Sequence, residues 1–551
     1  SLGASAQTDR LSSVNRDYAN FSYQDSAEEL LKLVQKGEKS KKIYDKLANS
    51  YYYIGDVSNA SKWYGSSLET FDDKDREIAF RYAQSLKRSG NIDGSDKIMK
   101  QFVKDFPADS RAIKYAKAGD YMGKINSISR EMKIENIDYN SKVSDFGTAF
   151  YKEGIVFASA QGGGRKYNWT NQPFLDLFYA DDDTGELEEF SSQVNSKFHE
   201  STPVFTKDGE TMYFTRNNFI KGKAGKDSRD VILLKIYRAR LVNGKWTDIT
   251  PLPFNSDEYN VSHPTLNKEE NKMYFASDMP GTMGDSDIFV VDLFMDDTFG
   301  VPQNMGAVIN TAGKESFPYI SNQEILYFAS NGQPGLGGLD VYEFDLKSQN
   351  AIVRNMGRPI NSVSDDFCYV VSESKNTGYF SSNREGGKGD DDIYRFRAQD
   401  ICEQSIFGTV VDSNSNEIIS DALVSIRNRK GELIASTNSD IEGKVSFLMP
   451  CADAEFQVET SKEGYVMSES KFQTKDKDGE IQLDLKLSPV IDESLADLNN
   501  AANKDKLVDL SDTLNLNPLY FDWDQSVMTQ QAEIELTKVI TYMKIYKKIN
   551  I

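Results

Sequence analysis

The period of the apolar positions changes three times along this chain. From about Ser26 to Lys124 apolar residues recur three and four places apart, and no proline interrupts them until Pro107. That is the period of amphipathic helices. From about Lys133 the period shortens to two, in short β-branched and aromatic runs separated by Gly, Asp and Asn turns. Beyond Ile401 the alternation continues with turn signals at short intervals, predicting an all-β sandwich of roughly 90 residues. Val490 to Thr513 is polar and reads as a linker. A strand at Leu519–Phe521, an acidic turn at Asp522 and Asp524, and a helix burying Ile534, Leu536, Val539, Ile540 and Met543 then open an α/β module.

The middle section repeats itself. MYFASDMPGTMGDSDIFVVDL (273–293), LYFASNGQPGLGGLDVYEFDL (326–346) and GYFSSNREGGKGDDDIYRFRA (378–398) are three versions of one sentence. A leading Phe recurs at Phe157, Phe214, Phe275, Phe328 and Phe380. Ahead of it stands Ser-x-Pro, at Ser201/Pro203, Ser262/Pro264 and Ser316/Pro318; the fifth copy, DDFCYVV, has Asp366 and Cys368 instead. A unit of about 50 to 60 residues with four short strands is a propeller blade, which buries its two faces only against neighbours around an axis. Five blades are expected, with outer strands near Leu187–Val194, Trp246–Phe254, Gly300–Ala307 and Ile352–Pro359. The last blade lacks one downstream, and the spare segment Ile134–Asp138 is expected to close the ring. The wording YFASN-x-x-G-G-x-G-x-x-D-I-Y resembles the PD40 type of β-propeller repeat, related to the propeller of TolB. The Asp at its fixed place (Asp287, Asp340, Asp392) reads as a cap on turn amides, because a ligand site breaks symmetry and this residue obeys it.

Two helical segments also resemble one another. One carries Leu47, Ala48, Tyr51, Gly55, Asp56, Ala60, Trp63 and Tyr64; the other carries Ala79, Tyr82, Ala83, Leu86, Gly90, Asn91, Phe102 and Pro107. Gly55 and Gly90 stand one near-tetratricopeptide period apart, with glycine ending the first helix and proline stopping the second. The segment resembles a short tetratricopeptide array, and such arrays usually bind peptides or proteins along a concave face. In the sandwich, Gly408-x-Val410, Ala422-x-Val424, Thr437-x-x-Asp440-x-x-Gly443 and Gly464-Tyr465 resemble carboxypeptidase regulatory-like domains, which are non-catalytic. Cys402 and Cys451 are expected to form a disulfide, worth roughly 4 kcal/mol for a loop of about 50 residues, with Cys368 left buried in the propeller.

Composition narrows the function. The formal charge is −21, which repels phosphate backbones and argues against a nucleic-acid partner. Two histidines and three cysteines are poor material for imidazole catalysis or a zinc site. His199 and His263 lie near the Ser-Pro motif, but no exposed-elbow G-x-S-x-G accompanies them. No catalytic, cofactor or metal residues are expected, and the chain reads as a non-enzyme. SLGASAQ resembles the tail of a secretory signal peptide, with small residues at Ala4 and Ala6. The loop Gly162–Trp169 is glycine-rich, basic and aromatic; Arg165, Tyr167 and Trp169 are its candidate ligand residues.

The expected organisation is a signal-peptide remnant (1–6), a tetratricopeptide-like domain (7–128), a PD40 β-propeller (129–399), a regulatory-like sandwich (400–489), a linker (490–513) and the opening of an OmpA C-terminal domain (514–551). In the OmpA family the Asp and Arg that grip peptidoglycan come after the second strand, beyond Ile551, so no ligand residue carries over. This order resembles the PorE-like, peptidoglycan-associated OmpA-family proteins of Bacteroidota, which serve type IX secretion and gliding motility. The resemblance implies a periplasmic scaffold associated with the outer membrane and peptidoglycan. Its implied partners are an outer-membrane barrel of the PorP/SprF type, or secretion and gliding components, with no cofactor. The alternative is a periplasmic glycan- or peptide-binding module using the propeller loops.

Overall fold

The computed structural model describes residues 14–490 except 72–74, 128–131, 182–183, 349–350, 373–376, 399–402, 451 and 476–478. The signal-peptide remnant, most of the linker, the OmpA-like segment and the Cys402–Cys451 pair lie outside the described residues. The chain divides into two compact units, meeting in sequence at Asp400 and Ile401.

The first unit opens with helices α1 (Tyr23–Gln35), α2 (Lys41–Tyr53), α3 (Val57–Thr70), α4 (Arg76–Arg88), α5 (Ile92–Asp105), α6 (Ser110–Ala118) and α7 (Tyr121–Ser127). Short polar side chains start them: Ser40, Asp56, Asp75 and Asn91 accept from the amides of Ile43, Asn59, Ile78 and Gly94. Such caps satisfy amides that have no partner within the helix. Gly55 and Gly90 follow α2 and α4 with φ of 80° and 82°, the left-handed turn that ends a helix. Leu30, Leu47, Ala48, Ala60 and Tyr64 are fully buried between the helices, and Trp63 packs edge-on to Tyr44.

The rest of this unit holds, among the described residues, one two-stranded hairpin, Phe219–Ile220 with Lys223–Ala224, and five four-stranded antiparallel sheets. Their first strands are Asp145–Tyr151, Glu200–Phe205, Val261–Leu266, Glu315–Ile320 and Asp366–Ser372, and each contacts the next in a closed cycle. The outer strands are shorter than the sequence suggests: Leu187–Glu189, Lys245–Pro251, Gln303–Asn304 and Arg354–Asn355. The fifth sheet takes its outer strand from Met132–Asn136, which pairs with Asp392–Ala398. Met132, before the expected Ile134, is already in register, opposite Ala398. Five apolar clusters fill the five gaps between neighbouring sheets, including the gap between the last sheet and the first. The leading phenylalanines sit at the centre: Phe157, Phe214, Phe275 and Phe380 are 0% exposed, and Phe328 is 1%.

The second unit is a sandwich of two four-stranded sheets. Glu403–Asp412 pairs antiparallel with Lys444–Pro450 and parallel with Gly479–Pro489. Leu423–Asn428 pairs with Leu433–Asn438 and Glu455–Ser461 in the other sheet. Ile406, Val410, Val424, Ile426, Val458 and Leu487 form the core between them. Asp440 accepts from the amides of Glu442 and Lys444, each at 2.8 Å, closing the turn that the Thr-x-x-Asp-x-x-Gly signature marks.

Candidate functional site

Two repeated devices shape the ring. The first is a turn clamp at the fixed Asp. Asp287 accepts from Met283 N at 2.8 Å and from Asn304 Nδ2 at 2.6 Å. Asp340 accepts from Leu336 N and from Asn355 Nδ2, and Asp392 from Lys388 N and from Asn136 Nδ2. Each clamp thus ties the turn before the third strand to an asparagine on the outer strand. A second asparagine (Asn310, Asn361 or Asn140) donates to the first and exchanges two hydrogen bonds with the backbone of the third strand. Sequence reasoning overlooked these asparagines, although NMG-x-x-IN at 304–310 and NMG-x-x-IN at 355–361 print the signal plainly. The glycine three places before each Asp is where neighbouring sheets touch. A Cβ on Gly284, Gly337 or Gly389 would lie 2.0–2.2 Å from a carbonyl oxygen of the next sheet's lead-in, at Gly313, Ser364 or Val143.

The second device is a bulge in every first strand. The register slips between Ser201/Val204, Ser262/Thr265, Ser316/Tyr319, Phe146/Ala149 and Phe367/Val370. The residue inside the slip is left-handed each time: Gly147, Thr202, His263, Phe317 and Cys368, with φ from 42° to 76°. This is the physical meaning of Ser-x-Pro: proline has no N–H to give a ladder, so it is tolerated at a bulge.

A polar contact joins the helices to the ring. Arg88 pairs with Asp365 at 2.9 Å, both mostly buried, with side chains 10% and 23% exposed. Gln84 Nε2 donates to Asn331 O, Lys87 Nζ to Gly335 O and Lys114 Nζ to Val308 O; Ala312 N donates to Ser110 Oγ. These groups come from α4 and α6, and Tyr53 at the end of α2 joins them: Trp169 Nε1 donates to its carbonyl at 2.9 Å. Trp169 also stacks on Phe21 and meets Tyr23 and Tyr53 edge-on. The helical face turned to the ring is therefore engaged within the chain. Asp365 shows the electrostatics: burial raises its carboxyl, but the Arg88 guanidinium and hydrogen bonds from Leu339 N and Asn383 outweigh that and hold it below the usual range.

The candidate loop residues part company. Arg165 is exposed, whereas Tyr167 packs against Phe174 and His199 and Trp169 serves the helical contact. His199 Nδ1 accepts from Leu175 N, and burial lowers the imidazole to about 4, so it is neutral at pH 7. His263 packs against Phe317 at a tilt, with ring centroids 3.8 Å apart, and its Nδ1 lies 3.3 Å from Thr202 Oγ1. The two histidines are on different strands' environments and are not brought together. Cys368 is buried in the ring, as expected, with its thiol pushed up by burial. Among the described residues no group of three or more His, Cys, Asp or Glu is arranged to hold a metal ion, and no helix is long and apolar enough to cross a membrane.

No family model matches this sequence, and no curated protein matches it. Solved structures with partial likeness include TolB of Acinetobacter baumannii, 15% identical over 44% of this chain and 51% of that one, with a TM-score of 0.26. A TolB-like protein of Agrobacterium tumefaciens is 11% identical over 58% and 98%, at 0.29. A family 117 glycoside hydrolase of Zobellia galactanivorans is 15% identical over 49% and 91%, at 0.32. A catechol 1,2-dioxygenase of Acinetobacter radioresistens matches over 17% of this chain and 53% of its own, at 0.14. The chain thus spans about half the length of the dioxygenase and of the Acinetobacter TolB. Each is a low-scoring likeness of shape.

Proposed function

We propose that this chain is a periplasmic scaffold, in which a tetratricopeptide-type array and a five-bladed PD40-type propeller form one platform for an outer-membrane complex. The module beginning at Leu514 would fasten it to peptidoglycan. The observation that carries the reading is the contact between helices and ring. A buried ion pair, four further hydrogen bonds and an aromatic cluster around Trp169 lock two repeat-built elements together. Rigid coupling of repeats suits a part that transmits position rather than one that turns over a substrate. Because the ring-facing side of α2, α4 and α6 is engaged internally, the partner surface is assigned to other faces of the platform. The partners proposed are a barrel of the PorP/SprF type or components of a secretion or gliding machine, and the chain is proposed to be no enzyme. The alternative, a glycan or peptide site on loop 162–169, draws less support, since Tyr167 and Trp169 are both engaged within the chain.

The test is co-sedimentation of the protein with purified peptidoglycan, with and without the residues from Leu514 onward, followed by capture from envelope extracts. Sedimentation that depends on those residues, together with recovery of a membrane barrel or motor component, is the expected result. Recovery of soluble enzymes alone, with no sedimentation, would refute the proposal.

A further inference from the structure

The two ends of the sandwich differ. Glu403–Asp412 runs from one end to the other, and Gly479–Pro489 runs parallel beside it, so the chain leaves at the far end, at Val490. Three connections meet at that end: residues 413–422, 439–443 and 462–467. Eight large apolar side chains are exposed among the described residues of this unit, and six of them are here: Ile418, Leu423, Ile441, Val466, Met467 and Val490. They are held together. A Cβ on Gly443 would lie 2.6 Å from Ile418 Cγ2, so Ile418 sits against the turn that carries Ile441. Val490 N donates to Gly464 O at 3.0 Å, which keeps the exit beside Val466 and Met467. Lys462 Nζ reaches Asp421 at 3.1 Å, from the third connection to the first.

Single exposed apolar residues are ordinary, but a group of them rimmed by charge marks an interface. The rim here is acidic. Along and directly after the three connections the exposed acids are Glu417, Asp421, Asp440, Glu442 and Glu463, and the bases are Lys444 and Lys462. Both bases are taken, by Glu442 and Asp421, which leaves Glu417, Asp440 and Glu463 in excess. The turn at the opposite end, 429–432, has the other balance, with Arg429 and Lys430 against Glu432. The chain itself supplies a segment that complements the acidic end. Residues 536–551 hold Lys538, Lys544, Lys547 and Lys548 with no Asp or Glu, and Leu536, Val539, Ile540 and Met543 stand at helical spacing. The intervening 491–513 is unsuited, because its acids outnumber Lys504 and Lys506. About 45 residues separate Val490 from Leu536, enough chain to return to the end it leaves. Tethering supplies an effective concentration on the order of millimolar when the tether is short and flexible, so even a weak contact is populated.

We infer that this end of the sandwich is the docking surface for the chain's own residues 536–551, with the lysines on the carboxylate rim and the apolar positions on Ile418, Ile441 and Val466. The segment beginning at Leu514 is then held against the sandwich instead of hanging from a free tether, whether or not it also binds peptidoglycan. Hydrogen exchange of the full chain, read by mass spectrometry at two protein concentrations about tenfold apart, is the test. In Lys547→Glu/Lys548→Glu, peptides covering 413–422, 439–443 and 462–467 should exchange about fivefold faster, with the turn at 429–432 unchanged. Ile441→Asp should free residues 536–551 to a similar degree; Ile441 is 91% exposed, so this variant leaves the core intact. Adding Glu417→Lys/Glu463→Lys to the doubly substituted chain should restore protection, which a structural effect of either pair alone would not do. Carbodiimide coupling should join Glu463 to a lysine of 536–551 within one monomer. Exchange unchanged by both Lys547→Glu/Lys548→Glu and Ile441→Asp would overturn the inference. Protection that rises with protein concentration, or coupling found only between two chains, would overturn it in favour of a second copy on this face.

Discussion

Trp169 decides between two readings of the loop Gly162–Trp169, and replacing it with alanine separates them. If the indole is a docking element, Trp169→Ala removes three ring contacts to the helical segment, with centroids 5.1 Å from Tyr23 and 5.7 Å from both Phe21 and Tyr53, and one hydrogen bond to Tyr53 O. Aromatic pairs contribute about 0.5–1.5 kcal/mol each, and a hydrogen bond contributes about 1 kcal/mol net. Because these contacts share one side chain they do not add fully, and a loss of about 2–4 kcal/mol is expected. A loss of about 2.8 kcal/mol raises the population of the undocked form about a hundredfold. Arg88, Gln84 and Lys87 still hold α4 to the ring, so the opening should be confined to α1 and α2. Hydrogen exchange read by mass spectrometry is the assay. Peptides covering Tyr23–Gln35 and Lys41–Tyr53 should exchange much faster, with those covering the five sheets unchanged. Trp169→Phe, which keeps the ring but loses the N–H, should show a smaller rise. Exchange in α1 and α2 that stays within about threefold of the parent would refute the docking role and return Trp169 to the ligand reading.

Other consequences follow from the ring. Phe275→Ala empties a site that is 0% exposed between Phe254 and Phe289; a loss of about 3–5 kcal/mol is expected in urea unfolding, and a loss below about 1 kcal/mol would mean the wedge is not packed as described. Asp340→Ala orphans the turn amides at Leu336 and Gly337, and should cost about 1–3 kcal/mol; Asp287→Ala, at the equivalent place, should cost a similar amount, and a large difference would argue against a shared structural role. Glu315 is fully buried, and burial raises its carboxyl to about 7, against about 4.3 in an unfolded chain. The folded state then binds the extra proton between these values, so this group's contribution is fully present below about pH 4.3 and is lost as pH rises through about 7. Thermal midpoints should accordingly fall between pH 5 and pH 8, and Glu315→Gln should flatten that dependence; an unchanged slope in the variant would place the titration elsewhere.

What the residues determine by themselves is local. A helical period, a cap such as Asp56 and a left-handed Gly55 need only near neighbours, so the helices were legible. The alternation, the recurring Phe and the repeated Asp were legible for the same reason: each device is built within one 50–60-residue unit and printed several times. The NMG-x-x-IN asparagines are equally visible, but their role is not, because their partners lie on other strands of the sheet. Ser-x-Pro is visible in the sequence without its meaning, since a bulge is defined by its pairing with the next strand. The remaining facts belong to the tertiary structure. Met132–Asn136 finds Asp392–Ala398 across almost the whole ring, because an open last sheet would leave its ladder unpaired. Trp169 finds Tyr53 across 116 positions, and Arg88 finds Asp365. No periodicity encodes such meetings: an aromatic in a glycine-rich loop looks the same whether a ligand or the protein's own helix covers it. Which one does depends on where the ring and the helices place their surfaces, and that is settled only when distant segments compete to bury the same group.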